Sequence, residues 1–212
     1  MSIARTVVLL PALAERGAQT TAQKLALQEV AAVLTPEIGV SGTRPVILED
    51  PALRVLPAMS AANTDQVVLV GRGWGSMIAL HIAASHGERV AALMLSTNAR
   101  LQTIMVRSIF YGVLSLLPAT VVQQLGGKPT DVAALFDQVR PVDFKTLAQR
   151  VRAPALVIVG EQDVANRGPS AALARSLPLG NLRVLPNAGA GWQAQRPHSV
   201  VELLVEFMSS LT

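Results

Sequence analysis

The residues best suited to chemistry lie in the run Val70-Gly71-Arg72-Gly73-Trp74-Gly75-Ser76-Met77-Ile78-Ala79-Leu80. A strand that passes through closely spaced glycines into a helix supports two kinds of site. One is a phosphate cradle of backbone N–H groups. Its dinucleotide form needs a third glycine three positions after the second, following the first strand of the fold, and its triphosphate form needs Gly-Lys-Ser/Thr. The run meets neither condition. The other is the Gly-x-Ser-x-Gly elbow, which lifts a nucleophilic serine above the end of a sheet. Gly71 and Gly75 match its flanking glycines, while Gly73 stands where the serine belongs.

Other reactive groups are few. Ser76 is the nearest hydroxyl, but three residues past the elbow tip it falls in the first helical turn, as a packing or capping residue. His81 and His86 lie on the same helix, pointing away from the strand ends, and His198 follows Pro197 at the start of the last helix. No two of these three His share a helical face with a carboxylate in ligand spacing, so no metal is expected, and no cofactor is implied. The chain has no Cys, which excludes disulfides, thiolate catalysis and zinc–thiolate sites.

The elements that must position these residues alternate along the chain. Strands are predicted at 6–10, 45–49, 66–70, 90–95, 155–159 and 183–185. Helices are predicted at 20–34, 51–60 (short helix or turn), 75–86, 170–176 and 199–209. Alternating β and α segments specify a doubly wound, mostly parallel sheet of about six strands with right-handed crossovers. Residues 99–150 interrupt the alternation. They read as helical, broken by Pro118, Gly126-Gly127 and Pro129, and are expected to form a cap over one end of the sheet. The expected division is thus a core of 1–98 and 151–212 with the insert between its halves.

Composition agrees. The 212 residues are 50% hydrophobic and 15% charged, enough apolar surface to order one domain. Aromatics are only 3%, so Ala, Val and Leu must build the core. The net charge of +4 comes from scattered basic residues, without the clustering of a nucleic-acid face. No apolar run is long enough to span a membrane. The strand-forming run Thr6-Val7-Val8-Leu9-Leu10 followed by Ala12-Leu13-Ala14 imitates a signal peptide, which makes export the alternative to a cytoplasmic location.

The elbow, its helix and the following strand resemble the α/β-hydrolase superfamily, in its compact esterase-like and C–C-hydrolase-like members. The resemblance extends through Val151-Arg152-Ala153-Pro154 and the strand to Gly160-Glu161-Gln162-Asp163, and to Leu185-Pro186-Asn187-Ala188-Gly189, and covers nearly all the chain. It implies that Asp163 stands at the triad acid, Gly73 at the nucleophile and Ala190 at the histidine. The oxyanion loop, usually His-Gly, reads Pro11-Ala12, with Trp74 offering a second backbone donor. Neither Gly nor Ala supplies a reactive atom, so a conventional serine hydrolase is not expected. The implied protein is a pseudoenzyme that binds a small apolar molecule, or a protein partner, at a pocket bounded by Pro11, Ala12, Trp74, Asp163 and Trp192, with Gln193 and Gln195 as polar groups. The alternatives are a lyase, cyclase or isomerase that uses Asp163, and an esterase with an unrecognised nucleophile.

Overall fold

The computed structural model describes residues 6–12, 18–36, 49–61, 65–96 and 143–211. Six parallel strands form one sheet in the order β2-β1-β3-β4-β5-β6. They are β1 (Thr6–Leu10), β2 (Val33–Leu34), β3 (Val67–Arg72), β4 (Val90–Ser96), β5 (Ala155–Gly160) and β6 (Gly180–Leu185). β5 (Ala-Leu-Val-Ile-Val-Gly) is buried along its whole length, as a parallel strand covered on both faces must be. β6 is the exposed edge, where Leu182 and Val184 remain partly in solvent.

Side chains alternate across the sheet and build two cores. Val8 and Leu10 face one, with α2 (Glu49–Ala61), α3 (Trp74–Ser85), α4 (Phe144–Gln149) and α5 (Val164–Ser176) contributing to it. Val7 and Leu9 face the other, completed by α1 (Ala18–Gln28), α6 (Trp192–Gln195) and α7 (Pro197–Ser209). Each fully buried Leu, Val or Ile contributes about 1.5–3 kcal/mol from burial. Aliphatic residues therefore sustain both cores despite the shortage of rings.

Three expectations change in detail. The helix predicted over 20–34 ends at Gln28, and Val33–Leu34 instead pairs with Val7 and Val8 as a short edge strand. Pairing with β1 overrides local helix propensity there, and Val33 is β-branched, which suits a strand. The strand predicted at 45–49 lies outside the described residues over 45–48, and Glu49 opens α2. α5 starts six residues before the predicted 170, because Asp163 caps it, and it carries Pro169 within its span. Of the insert expected over 99–150, residues 99–142 lie outside the described residues. Phe144 and Ala148 of α4 are buried in the first core.

The chain leaves β1 toward β2 on one side, then returns to place β3 on the other. The crevice above the carboxyl ends of β1 and β3 is therefore the topological switch point, where ligands of such sheets bind.

Candidate functional site

At that crevice a single residue, Gly73, joins β3 to α3. Its backbone is left-handed, with φ 51° and ψ −114°, which a side chain makes costly. The turn is tied on three sides. Gly73 N donates to Ser96 O at 2.9 Å, Ser76 N to Gly73 O at 3.1 Å, and Gly75 N to Pro11 O at 3.1 Å. The flanking glycines are there for space. A Cβ on Gly75 would stand 1.9 Å from Leu10 O, and one on Gly71 2.7 Å from Ser76 Cα. At Gly73 a Cβ would meet only Ala12, its Cβ at 3.2 Å and its Cα at 3.8 Å. The turn has the form of a nucleophile elbow whose tip carries no side chain.

Asp163 follows β5 and caps α5. Its carboxylate accepts from Asn166 N at 3.3 Å and from Asn166 Nδ2 at 3.0 and 2.9 Å, one contact to each oxygen for the amide. The loop after β6 is drawn against the end of β5. Gln162 N donates to Ala188 O at 2.9 Å, and a Cβ on Gly160 would lie 2.2 Å from that same oxygen. Asn187 turns the loop with φ 54°, a conformation Asn tolerates, and its N–H donates to the Glu161 carboxylate at 3.0 Å.

These constraints bring Gly73, Asp163 and Ala190 together as walls of one cavity of about 180 Å³. The positions are 90 and 27 residues apart along the chain, yet they share one cleft. Ala12, from the loop after β1, lines it too. Pro11 does not, and its carbonyl serves the elbow instead.

The tryptophans part company. Trp192 is buried at the cleft wall, in the second core. Trp74 enters the first core, on the opposite face of the sheet, and is not among the residues lining the cleft. A helix that starts immediately after the elbow turns its first side chain down onto the sheet. The remaining walls are more polar than the sequence indicates: Arg72 at the end of β3, Ser96 at the end of β4 and Asn166 join the expected Gln193. Burial holds the Arg72 guanidinium below its ordinary pKa, though an arginine stays charged at neutral pH. Gln193 Nε2 donates to Ser96 Oγ, while Gln195 is exposed and away from the cleft. Arg72 and Ser96 were legible by one signal, their position at the carboxyl ends of adjacent central strands. Asn166 needed knowledge of where α5 begins.

None of the other reactive groups reaches the cleft. Ser76 is fully buried and its Oγ donates to Ser96 O at 3.3 Å. His81 sits midway along α3, His86 at its end, and His198 is exposed in the first turn of α7; none of the three lines the cavity. Among the described residues no group of three His, Asp or Glu is placed to hold a metal. None of the described helices is long and apolar enough to cross a membrane.

Neither a family model nor a curated protein matches the sequence. Solved structures do match in fold. An enol-lactonase from Burkholderia xenovorans is 19% identical with a TM-score of 0.74, the match covering 98% of this chain and 92% of that one. A thermophilic esterase from Thermogutta terrifontis is 20% identical, also at 0.74, over 99% and 91% of the two chains. MenH from S. aureus is 13% identical, again at 0.74, over 97% and 94%. The chain has the α/β-hydrolase fold.

Proposed function

We propose that this protein is a non-hydrolytic member of the α/β-hydrolase fold that binds a small molecule in the cleft bounded by Gly73, Asp163 and Ala190. One observation carries the reading: the three positions line the same cavity, and two of them have no reactive atom. Acyl transfer needs a hydroxyl at the elbow tip and an imidazole to take its proton. Gly73 and Ala190 supply neither, and Ser76 is buried beneath the turn with its hydroxyl bonded to Ser96 O. Asp163 has a structural occupation, since both its oxygens accept from Asn166 and the residue caps α5. That engagement speaks against the lyase or isomerase reading, which needs this carboxylate to exchange protons with a substrate. Of the insert expected over 99–150, α4 packs in the first core; residues 99–142 are proposed as a cap over the same end of the sheet, and a protein partner there is the other form of a binding role.

The test is direct. Purified protein is incubated with short-chain acyl esters and, separately, with a fluorophosphonate probe. No labelling and no hydrolysis above background are expected. Ester turnover that Asp163→Ala abolishes, or a covalent adduct on Ser76, would overturn the reading.

A further inference from the structure

β6 is a free margin of the sheet, and its groups are complementary to a second copy of themselves. Among the described residues no strand lies beyond it. Ala155 N donates to Leu179 O at 2.9 Å and Glu161 N to Leu185 O at 2.8 Å, so the odd-numbered residues of this stretch turn their backbone groups toward β5. Alternation along a strand then turns those of Gly180, Leu182 and Val184 outward. Gly180 N is used within the chain, on Leu177 O at 3.1 Å. The N–H and C=O groups of Leu182 and Val184, with Gly180 O, face away from the sheet.

Such an edge is usually blunted by Lys, Pro or a bulge, and β6 has none of them. Its one charged side chain, Arg183, is tied to Glu206 of α7. Three of the six large apolar side chains most exposed among the described residues lie here instead: Leu179 at 53%, Leu182 at 40% and Val184 at 38%.

The sequence around Leu182 is nearly symmetric. Leu179 and Leu185 stand three residues to either side of it, and Pro178 and Pro186 four. Two β6 strands meeting antiparallel about a twofold axis at Leu182 place that residue against the second copy's Leu182, and Leu179 against its Leu185. Val184 lies over the second copy's Gly180, which has no side chain to obstruct it, and Arg183 lies beside its Asn181. No like charges meet, and each Arg183 keeps its Glu206. Leu182 N–H reaches Leu182 O in both directions, and Val184 N–H reaches Gly180 O in both. Proline falls opposite proline, and with no N–H on either, pairing stops at the same point on both strands. The backbone alone would accept any extended segment; the symmetry of the side chains selects a second copy.

We propose that β6 pairs antiparallel with β6 of a second copy of this chain, joining the two sheets into one. The clefts at the carboxyl ends of the strands then open at opposite ends of the dimer. A contact built on one strand pair is at the small end of specific interfaces, so the dimer dissociates on dilution.

Sedimentation velocity of the full chain over a wide range of concentration tests this, and a monomer–dimer equilibrium is expected. Leu182→Lys sets two ammonium groups face to face on the axis, and Val184→Pro removes an outward N–H from each strand. Each should raise the dissociation constant about tenfold or more. Neither residue's backbone bonds to β5, so circular dichroism should show both variants folded, and either one serves if the other is not. Single cysteines in a chain that has none read the register. Leu182→Cys should form an intermolecular disulfide on mild oxidation, because such a pair brings its Cα atoms to about 5.5 Å. Val184→Cys, which faces Gly180, should not. A chain that is monomeric at every concentration overturns the proposal and leaves the edge to an extended segment of another protein. A dimer indifferent to Leu182→Lys and Val184→Pro would overturn this surface, and one that cross-links through Val184→Cys rather than Leu182→Cys would overturn the pairing.

Discussion

Substituting Ala for Gly73 and for Gly75 separates two reasons for glycine in one turn. At Gly73 the obstacle is conformational. A left-handed φ of 51° costs an L-residue about 1–2 kcal/mol. The added Cβ meets only Ala12, its Cβ at 3.2 Å and its Cα at 3.8 Å, so a shift of a few tenths of an ångström relieves the contact. Gly73→Ala should therefore lose about 1–2 kcal/mol, a fall in Tm of roughly 2–8 °C for a chain of this size. At Gly75 the obstacle is steric. Its Cβ would be 1.9 Å from Leu10 O and 2.4 Å from Leu10 C, both backbone atoms of a strand held between β2 and β3. Nothing there yields without moving β1, so the loss should exceed the roughly 1–3 kcal/mol of ordinary overpacking. Gly75→Ala is expected to be insoluble or to melt far below Gly73→Ala. Urea unfolding followed by circular dichroism reads both. A neutral or stabilising Gly73→Ala would mean that residue 73 is not left-handed. Equal losses at the two sites would mean that α3 does not approach β1 as closely as 1.9 Å implies.

Three further outcomes are expected. Asp163→Ala removes a helix cap and strands the buried Asn166 amide, so the urea midpoint should fall by the equivalent of about 2–3 kcal/mol, with Asp163→Asn losing less; an unchanged midpoint would contradict the capping role. Asp143 caps α4, and its carboxyl is held below its ordinary range by the Thr146 side-chain hydrogen bond first, then by the Thr146 backbone N–H. A depressed folded-state value means that its contribution is complete above the ordinary carboxylate range and fades as pH falls through the folded value. The stability gap between wild type and Asp143→Asn should accordingly be larger at pH 7 than near pH 3, and a constant gap would refute the assignment. Finally, Gly73→Ser with Ala190→His should hydrolyse 4-nitrophenyl acetate at least tenfold faster than either single variant, because nucleophile and base act as a unit. Additive or absent gains in a folded double variant would argue that positions 73 and 190 do not face one another.

Glycine spacing and strand–helix alternation are local properties, and they were legible in the chain. Periodicity placed five of the six strands within a few residues, and turn sterics located the elbow at Gly71, Gly73 and Gly75 before any geometry was known. The same motif placed Gly73, which has no side-chain atom to react, at the tip of that turn. What the chain could not disclose depended on partners distant in sequence. Val33–Leu34 became a strand because β1 offers unpaired backbone groups beside it, against a helical local preference. Trp74 and Trp192 looked alike in the sequence, yet the sheet passes between them, so one fills a core and the other walls the cleft. The cleft was expected to be apolar with Gln193, Gln195 and Asp163 as its few polar groups, and it also gathers Arg72, Ser96 and Asn166 from three separate elements. Gln193 meets Ser96 across 97 residues, a contact that no local pattern encodes. Short-range sterics are written into neighbouring residues, whereas the polarity of a site at a switch point is set by which strand ends the topology makes adjacent.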